Sequence, residues 1–305
     1  VEGEETMKRL DVPYLMFYVY LLIFPLLVWS QGDKELPVQY EELTSLQFAD
    51  ALQQAGQTCV IPLGILEKHG PHLPLGTDLL SVREVAKAAA KKEYILVFPP
   101  YFVGQIYEAK PQPGTIAYKP DLVWDFLQET CDELARNGIK KIILLNGHGG
   151  NNNFLQYFCQ VQLAAKKNYA VYLFNPGEDP EFSKVFNSMH KTAVDGHAGE
   201  VETSTMLLTH PQLVHQDMAA MQSGADQQRL SSLPDTYVGI WWYARFPNHY
   251  AGDGSAGNKQ LGQLLFDHDV KQFTAMIKAV KQDTMVMQLQ EQFYKESENP
   301  LPARP

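Results

Sequence analysis

Short apolar runs alternate with longer stretches of helical spacing along most of this chain. Residues 58–63, 94–98, 140–145 and 170–174 are dense in Val, Ile and Leu, the pattern of strands covered on both faces. Between them, 79–92, 121–137 and 154–167 carry the composition and spacing of helices, the second closed by Gly138. Residues 41–55 place Leu43, Leu46, Phe48 and Leu52 on one helical stripe, and 259–292 predict a long helix across the outside. Strands alternating with helices predict right-handed βαβ units. The expected fold class is α/β, a three-layer α/β/α sandwich with a mostly parallel sheet. Such sheets carry their sites beyond the carboxyl ends of the strands. Attention therefore falls on the loops at 64–78, after the first strand, and 146–153, after the third. The loop at 101–113 and the glycine-rich stretch at 248–262 are further candidates.

The amino-terminal segment breaks this pattern. Lys8-Arg9 precede an apolar run at 13–29, and Ser30 leads into polar sequence. This order predicts a secretory signal over residues 1–30, cleaved after Ser30, with Met7 as the initiator and residues 1–6 an upstream extension. Residues 31–305 then form one domain, placed outside the cytoplasm, periplasmic or secreted. An uncleaved membrane anchor is the alternative, because the run is nearly long enough to span a bilayer. The net charge of −10, without a basic cluster, argues against a nucleic-acid partner. Cys59, Cys131 and Cys159 form no CxxC pair and read as small buried hydrophobes.

The two strand-end loops hold unusual chemistry. Glu67, His69, His72 and Asp78 share one short loop braced by glycine and proline. Carboxylates and imidazoles in such density suit a divalent cation. Asn146-Gly147-His148-Gly149-Gly150-Asn151 follows the third strand; it lacks the GK[ST] of a P-loop, so His148 as a further ligand is the stronger reading. Asp195-Gly196-His197-Ala198-Gly199-Glu200-Val201-Glu202-Thr203-Ser204 opens another helix. Glu200 and Glu202, two apart, cannot share a helix face, so one points to the site and the other away.

Together the motifs Glu-Lys-His-Gly-Pro-His-Leu-Pro-Leu-Gly-Thr-Asp, Asn-Gly-His-Gly-Gly-Asn and His-Ala-Gly-Glu-Val-Glu-Thr-Ser resemble those of the creatininase (creatinine amidohydrolase) family, over roughly residues 43–280. The resemblance implies that family's three-layer fold, often hexameric, and two divalent ions (Zn, Mn or Fe) bridged by an aspartate. It makes Asp78 the bridge, puts Glu67 and His148 on one metal and His69 on the other, and gives His197 substrate binding and proton relay. Creatininase itself has a further glutamate ligand where this chain has Gly150, which weakens the case for creatinine as substrate. Glu200 is taken as the replacement ligand and Glu202 as a catalytic group beside His197, although sequence cannot choose between the two glutamates. Lys68 stands where relatives commonly have Gln. The implied activity is a metal-dependent amidohydrolase cleaving a C–N bond of a small cyclic or linear amide with activated water. A formamide hydrolase, a short-peptide peptidase and a non-catalytic metal-bearing protein are the alternatives. Tyr107, Glu108, Trp241, Trp242 and His249 fall in candidate pocket loops, where packing or surface roles are expected.

Overall fold

In the computed structural model residues 35–301 are described, so the predicted signal segment at 1–30 lies outside the described residues. The chain divides into a unit Val1–Leu36, of which only Glu35 and Leu36 are described, and a unit beginning at Pro37. Among the described residues no helix is long and apolar enough to cross a membrane.

The unit from Pro37 is built on four parallel strands, β1 (Thr58–Leu63), β2 (Leu96–Val97), β3 (Lys141–Asn146) and β4 (Ala170–Leu173), in the order β2-β1-β3-β4. The helices are α1 (Ser45–Gln54), α2 (Thr77–Lys92), α3 (Pro120–Arg136), α4 (Asn152–Val161), α5 (Pro180–Met189), α6 (Glu200–Thr209), α7 (Trp241–Arg245), α8 (Lys259–Gln282) and α9 (Met285–Ser297). Alternation along the strands separates two cores. Val60, Val97, Ile143 and Leu145 pack with Val82, Val85 and Ala86 of α2 and Val270, Phe273 and Ile277 of α8. Cys59, Ile61, Ile142 and Leu144 face the other way and are fully buried. α3 packs on α4 through Trp124 and Phe158, its Gln128 and Asp132 hold the Tyr169 hydroxyl just before β4, and neither helix joins the core formed with α2 and α8. The sheet is therefore sandwiched, and it is wholly parallel.

Several elements differ from the sequence expectation, each for a visible reason. The 259–292 pattern is two helices. Asp283 is extended between them, its side chain accepting from Met285 N, Val286 N and the Tyr172 hydroxyl, so it closes α8 and starts α9. The predicted helix at 154–167 starts at Asn152 and ends at Val161, followed by a 3₁₀ turn over Gln162–Ala164. β2 keeps only two residues of its apolar run. Helix α5 was not expected, although Asp179 caps it by accepting from Phe182 N at 3.0 Å and Pro180 supplies its first turn.

The register sets up the site. Leu63 pairs with Asn146, so β1 and β3 end level. β1 leads outward to β2 and β3 outward to β4, which makes the β1/β3 junction the topological switch point, where open α/β sheets bind ligands. Gly64 lets the chain turn there: a Cβ on it would lie 2.3 Å from the Leu79 Cα at the start of α2.

Candidate metal centre

Both loops at the switch point deliver ligating atoms to one place. Glu67 and His69 hang in the loop after β1, Asp78 sits in the first turn of α2, and His148 follows β3. Glu67 and His69 are fully buried, Asp78 and His148 nearly so. Two groups of donors form around the shared Asp78: Glu67, Asp78 and His148, and His69, Asp78 and Glu202. His148 Nδ1 stands 3.0 Å from Glu67 Oε1 and 3.1 Å from Asp78 Oδ2. His69 Nε2 stands 3.0 Å from Asp78 Oδ1 and 3.7 Å from Glu202 Oε2.

The far nitrogen of each imidazole is held by the main chain. His148 Nε2–H donates to the Gln105 carbonyl at 2.9 Å, and His69 Nδ1–H points to the Glu67 carbonyl at 3.2 Å. This is how a metal-ligating histidine is oriented: the outer N–H is pinned and the inner lone pair is aimed at the ion. Glu67 Oε1 and Asp78 Oδ2 are buried and face His148 Nδ1, which satisfies them only when it carries a proton, so these oxygens need either an imidazolium or a cation before them. The donor set is nitrogen and oxygen only, which suits zinc, manganese or iron. These residues fit a pair of divalent ions.

Proton affinities follow from the same crowding. Burial disfavours charge on His69, but Asp78 and Glu202 outweigh it and lift the imidazole to about 10. His148 is likewise raised well above its ordinary range, Glu67 and Asp78 overcoming burial. Burial opposes the Glu67 carboxylate, yet the imidazoles around it, with His148 and His249 in hydrogen-bond reach, hold it well below the usual range. Burial pushes Glu202 up to about 7. In ion-free protein, protons on the two imidazoles occupy the gaps that cations would fill.

A second ring of contacts positions these groups. His249 Nε2–H donates to Glu67 Oε2, and His249 Nδ1 accepts from the Trp242 indole at 3.0 Å, which fixes its tautomer. His197 Nε2–H donates to the Lys68 carbonyl at 2.8 Å, its ring 4.2 Å from that of His69. Burial drives His197 down to about 3, so it is neutral with Nδ1 free to accept a proton, 3.9 Å from Glu202 Oε2.

The two glutamates separate as the helix geometry requires. Glu202 reaches His69 and Asp78 and accepts from Ala198 N at 2.6 Å. Glu200 is turned away: its Oε2 accepts from Lys191 N at 2.8 Å and Thr192 N at 2.9 Å, beside His190 and Asp195. The sequence expectation took Glu200 as ligand and Glu202 as catalytic group; the geometry brings Glu202, and not Glu200, to His69 and Asp78, with Glu202 Oε2 also 3.9 Å from His197 Nδ1. His72 belongs to neither donor group; its Nε2 lies 2.8 Å from Thr203 Oγ1, and burial lowers it to about 4, the signature of a neutral packed histidine. At Gly150 a Cβ would lie 2.4 Å from His148 Nε2, so any side chain would displace the imidazole from its carbonyl anchor.

The family profile described as creatininase, creatinine amidohydrolase, matches residues 41–277. The chain belongs to the creatininase family. Among its relatives, 3-dehydro-scyllo-inosose hydrolase of Thermotoga maritima is 28% identical over 68% of this chain and 65% of its own length, so the chain spans slightly under two thirds of that protein. Creatinine amidohydrolase of Pseudomonas putida is 27% identical over 58% of this chain and 73% of its own length. A mutant creatininase of the Zn-Zn type superposes with a TM-score of 0.67 at 21% identity, covering 81% of this chain and 99% of that one. The two relatives carry different activities, so family membership leaves the substrate of this chain open. The buried His, Glu and Asp groups suit the two-metal arrangement of such an enzyme.

His249 and Trp242 are the contributors that sequence reasoning missed. They stand in a candidate loop, but nothing in the sequence ties a histidine 182 positions from Glu67 to that carboxylate.

Proposed function

We propose that this protein hydrolyses a C–N bond of a small amide, with Glu67, Asp78 and His148 holding one divalent ion and His69, Asp78 and Glu202 a second. The carrying observation is the pair of buried imidazoles with main-chain-anchored outer nitrogens and inner nitrogens facing carboxylates. Two divalent ions would supply water acidified to near neutral pH and a Lewis acid for the carbonyl. The protein's own groups do the rest. Asp78, common to both donor groups, would help to hold both ions. His249 keeps Glu67 oriented through Oε2, leaving Oε1 for the metal side. His197, anchored through Nε2 and with Nδ1 turned toward Glu202, is placed to relay a proton to the departing nitrogen. A cavity of about 390 Å³, bordered by Asp78 and Glu202, gives room for a small substrate.

The test is hydrolysis of a panel of cyclic amides, formamides and short peptides by zinc- or manganese-loaded protein, with chelated protein as control. Metal-dependent release of amine from a small amide supports the reading. Stoichiometric metal with no turnover on any class contradicts it and favours a metal-bearing binding protein.

A further inference from the structure

We propose that the cavity beside the metal centre selects substrates whose remote end is positively charged or donates hydrogen bonds, and that Asp269 sets this preference. The inference rests on the hydrolase reading above. The cavity reaches from Asp78 and Glu202, past the tips of β3 and β4, to Phe266 and Asp269 on α8. Its polar wall is made of Ser81, Asn146, Asn152, Asn175 and Thr205. Among the described residues, no lysine or arginine lines it.

The charges at its two ends are unequal. Near the metal centre Glu67, Asp78 and Glu202 cluster with His69 and His148, and two divalent ions would offset their negative charge. At the other end Asp269 has no such counter-charge. Its ionic contact among the described residues is His268 Nδ1 at 3.4 Å. That imidazole also faces Asp179 at 3.6 Å and stacks on Phe182. Asp269 is 54% exposed at the cavity border, and partial desolvation by the surrounding protein raises its carboxyl above the usual range against the pull of His268. A substrate with an ammonium, guanidinium or hydroxyl group remote from the scissile bond meets an acceptor there. One with a remote carboxylate meets a like charge and no lysine or arginine.

Three acetamides that share a scissile bond and differ in terminal group test this: N-(2-aminoethyl)acetamide, N-(2-hydroxyethyl)acetamide and N-acetylglycine. Binding to the zinc-loaded full chain is read by saturation-transfer NMR, and amine release in parallel. Asp269→Asn is expected to weaken the ammonium probe about three- to fivefold, the scale of one partly exposed charge pair. The hydroxyl probe should move less than about twofold and N-acetylglycine should bind more tightly. Asp269→Lys should reverse the ranking of the charged probes. Equal probe ratios in wild type and Asp269→Asn, or no binding of the ammonium probe at millimolar concentration, overturns the inference. Charge-ranked binding without amine release would instead sustain Asp269 as a selector while removing simple acetamides from the substrates of the hydrolase reading.

Discussion

Loading the ion-free protein with zinc should expel protons, and the structure sets how many. His69, lifted to about 10, and His148, raised well above its usual range, both carry an extra proton at neutral pH when no ion is present. Each of those protons lies between an imidazole nitrogen and a carboxylate, at the 3.0 Å and 3.1 Å contacts that an ion would enter. Glu202, pushed up to about 7, adds a fraction that grows as the pH falls. Filling both sites near pH 7.5 therefore releases about two protons per chain, because ligands must be deprotonated to bind. The sign follows directly. The protons favour the ion-free form, so zinc affinity falls as the pH drops and climbs with pH until His69 titrates near 10. Calorimetric titration in MOPS, HEPES and PIPES, whose ionisation enthalpies differ, reads the count from the slope of apparent enthalpy. His69→Gln should lower it by about one. A slope of zero at full zinc loading would show that the imidazoles are already neutral and refute the reasoning.

Other consequences are independent of proton counting. Glu202→Gln should reduce the metal content from two ions to one, whereas Glu200→Gln should keep both and cost about 1–3 kcal/mol, since the buried Glu200 carboxylate ties down the amides of Lys191 and Thr192; metal analysis and thermal melting separate them. Gly150→Ala should push His148 off the Gln105 carbonyl and weaken the ion it holds about 10- to 100-fold, measured by competition with a chromophoric chelator. Lys68→Met should cost about 1.5–3 kcal/mol in denaturant unfolding, because the ammonium joins Gln112, Gln222 and the Asn248 carbonyl across three loops, and Lys68→Gln should recover part of that. An unchanged midpoint in Lys68→Met would remove the clamp from the account.

The architecture was legible because both signals behind it are local. Runs such as Cys59-Val60-Ile61 and Ile142-Ile143-Leu144 are buried on both sheet faces, and no competing pattern disturbs them. Histidines and carboxylates just beyond two such runs were bound to meet once β1 and β3 paired in parallel and ended level. What escaped the sequence depends on rotation and on distant loops. Glu200 and Glu202 are equally acidic and equally near the helix start; only the turn at Ala198, with φ +56°, decides which enters the centre. His72 shares a loop with Glu67 and His69, yet its imidazole is taken by Thr203. His249 reaches Glu67 through a turn that also sits in the left-handed region, at φ +51°, in a stretch with no strand or helix pattern to announce it. The break at Asp283 was hidden because helical spacing continues across it while the capping bonds come from its own side chain.

Anomalous scattering from crystals soaked in zinc or manganese tests the central claim most directly. The account predicts two ions per chain, one among Glu67, Asp78 and His148 and one among His69, Asp78 and Glu202, both lost in Asp78→Ala. A single ion, an ion held by Glu200 in place of Glu202, or full occupancy surviving in Asp78→Ala would contradict it.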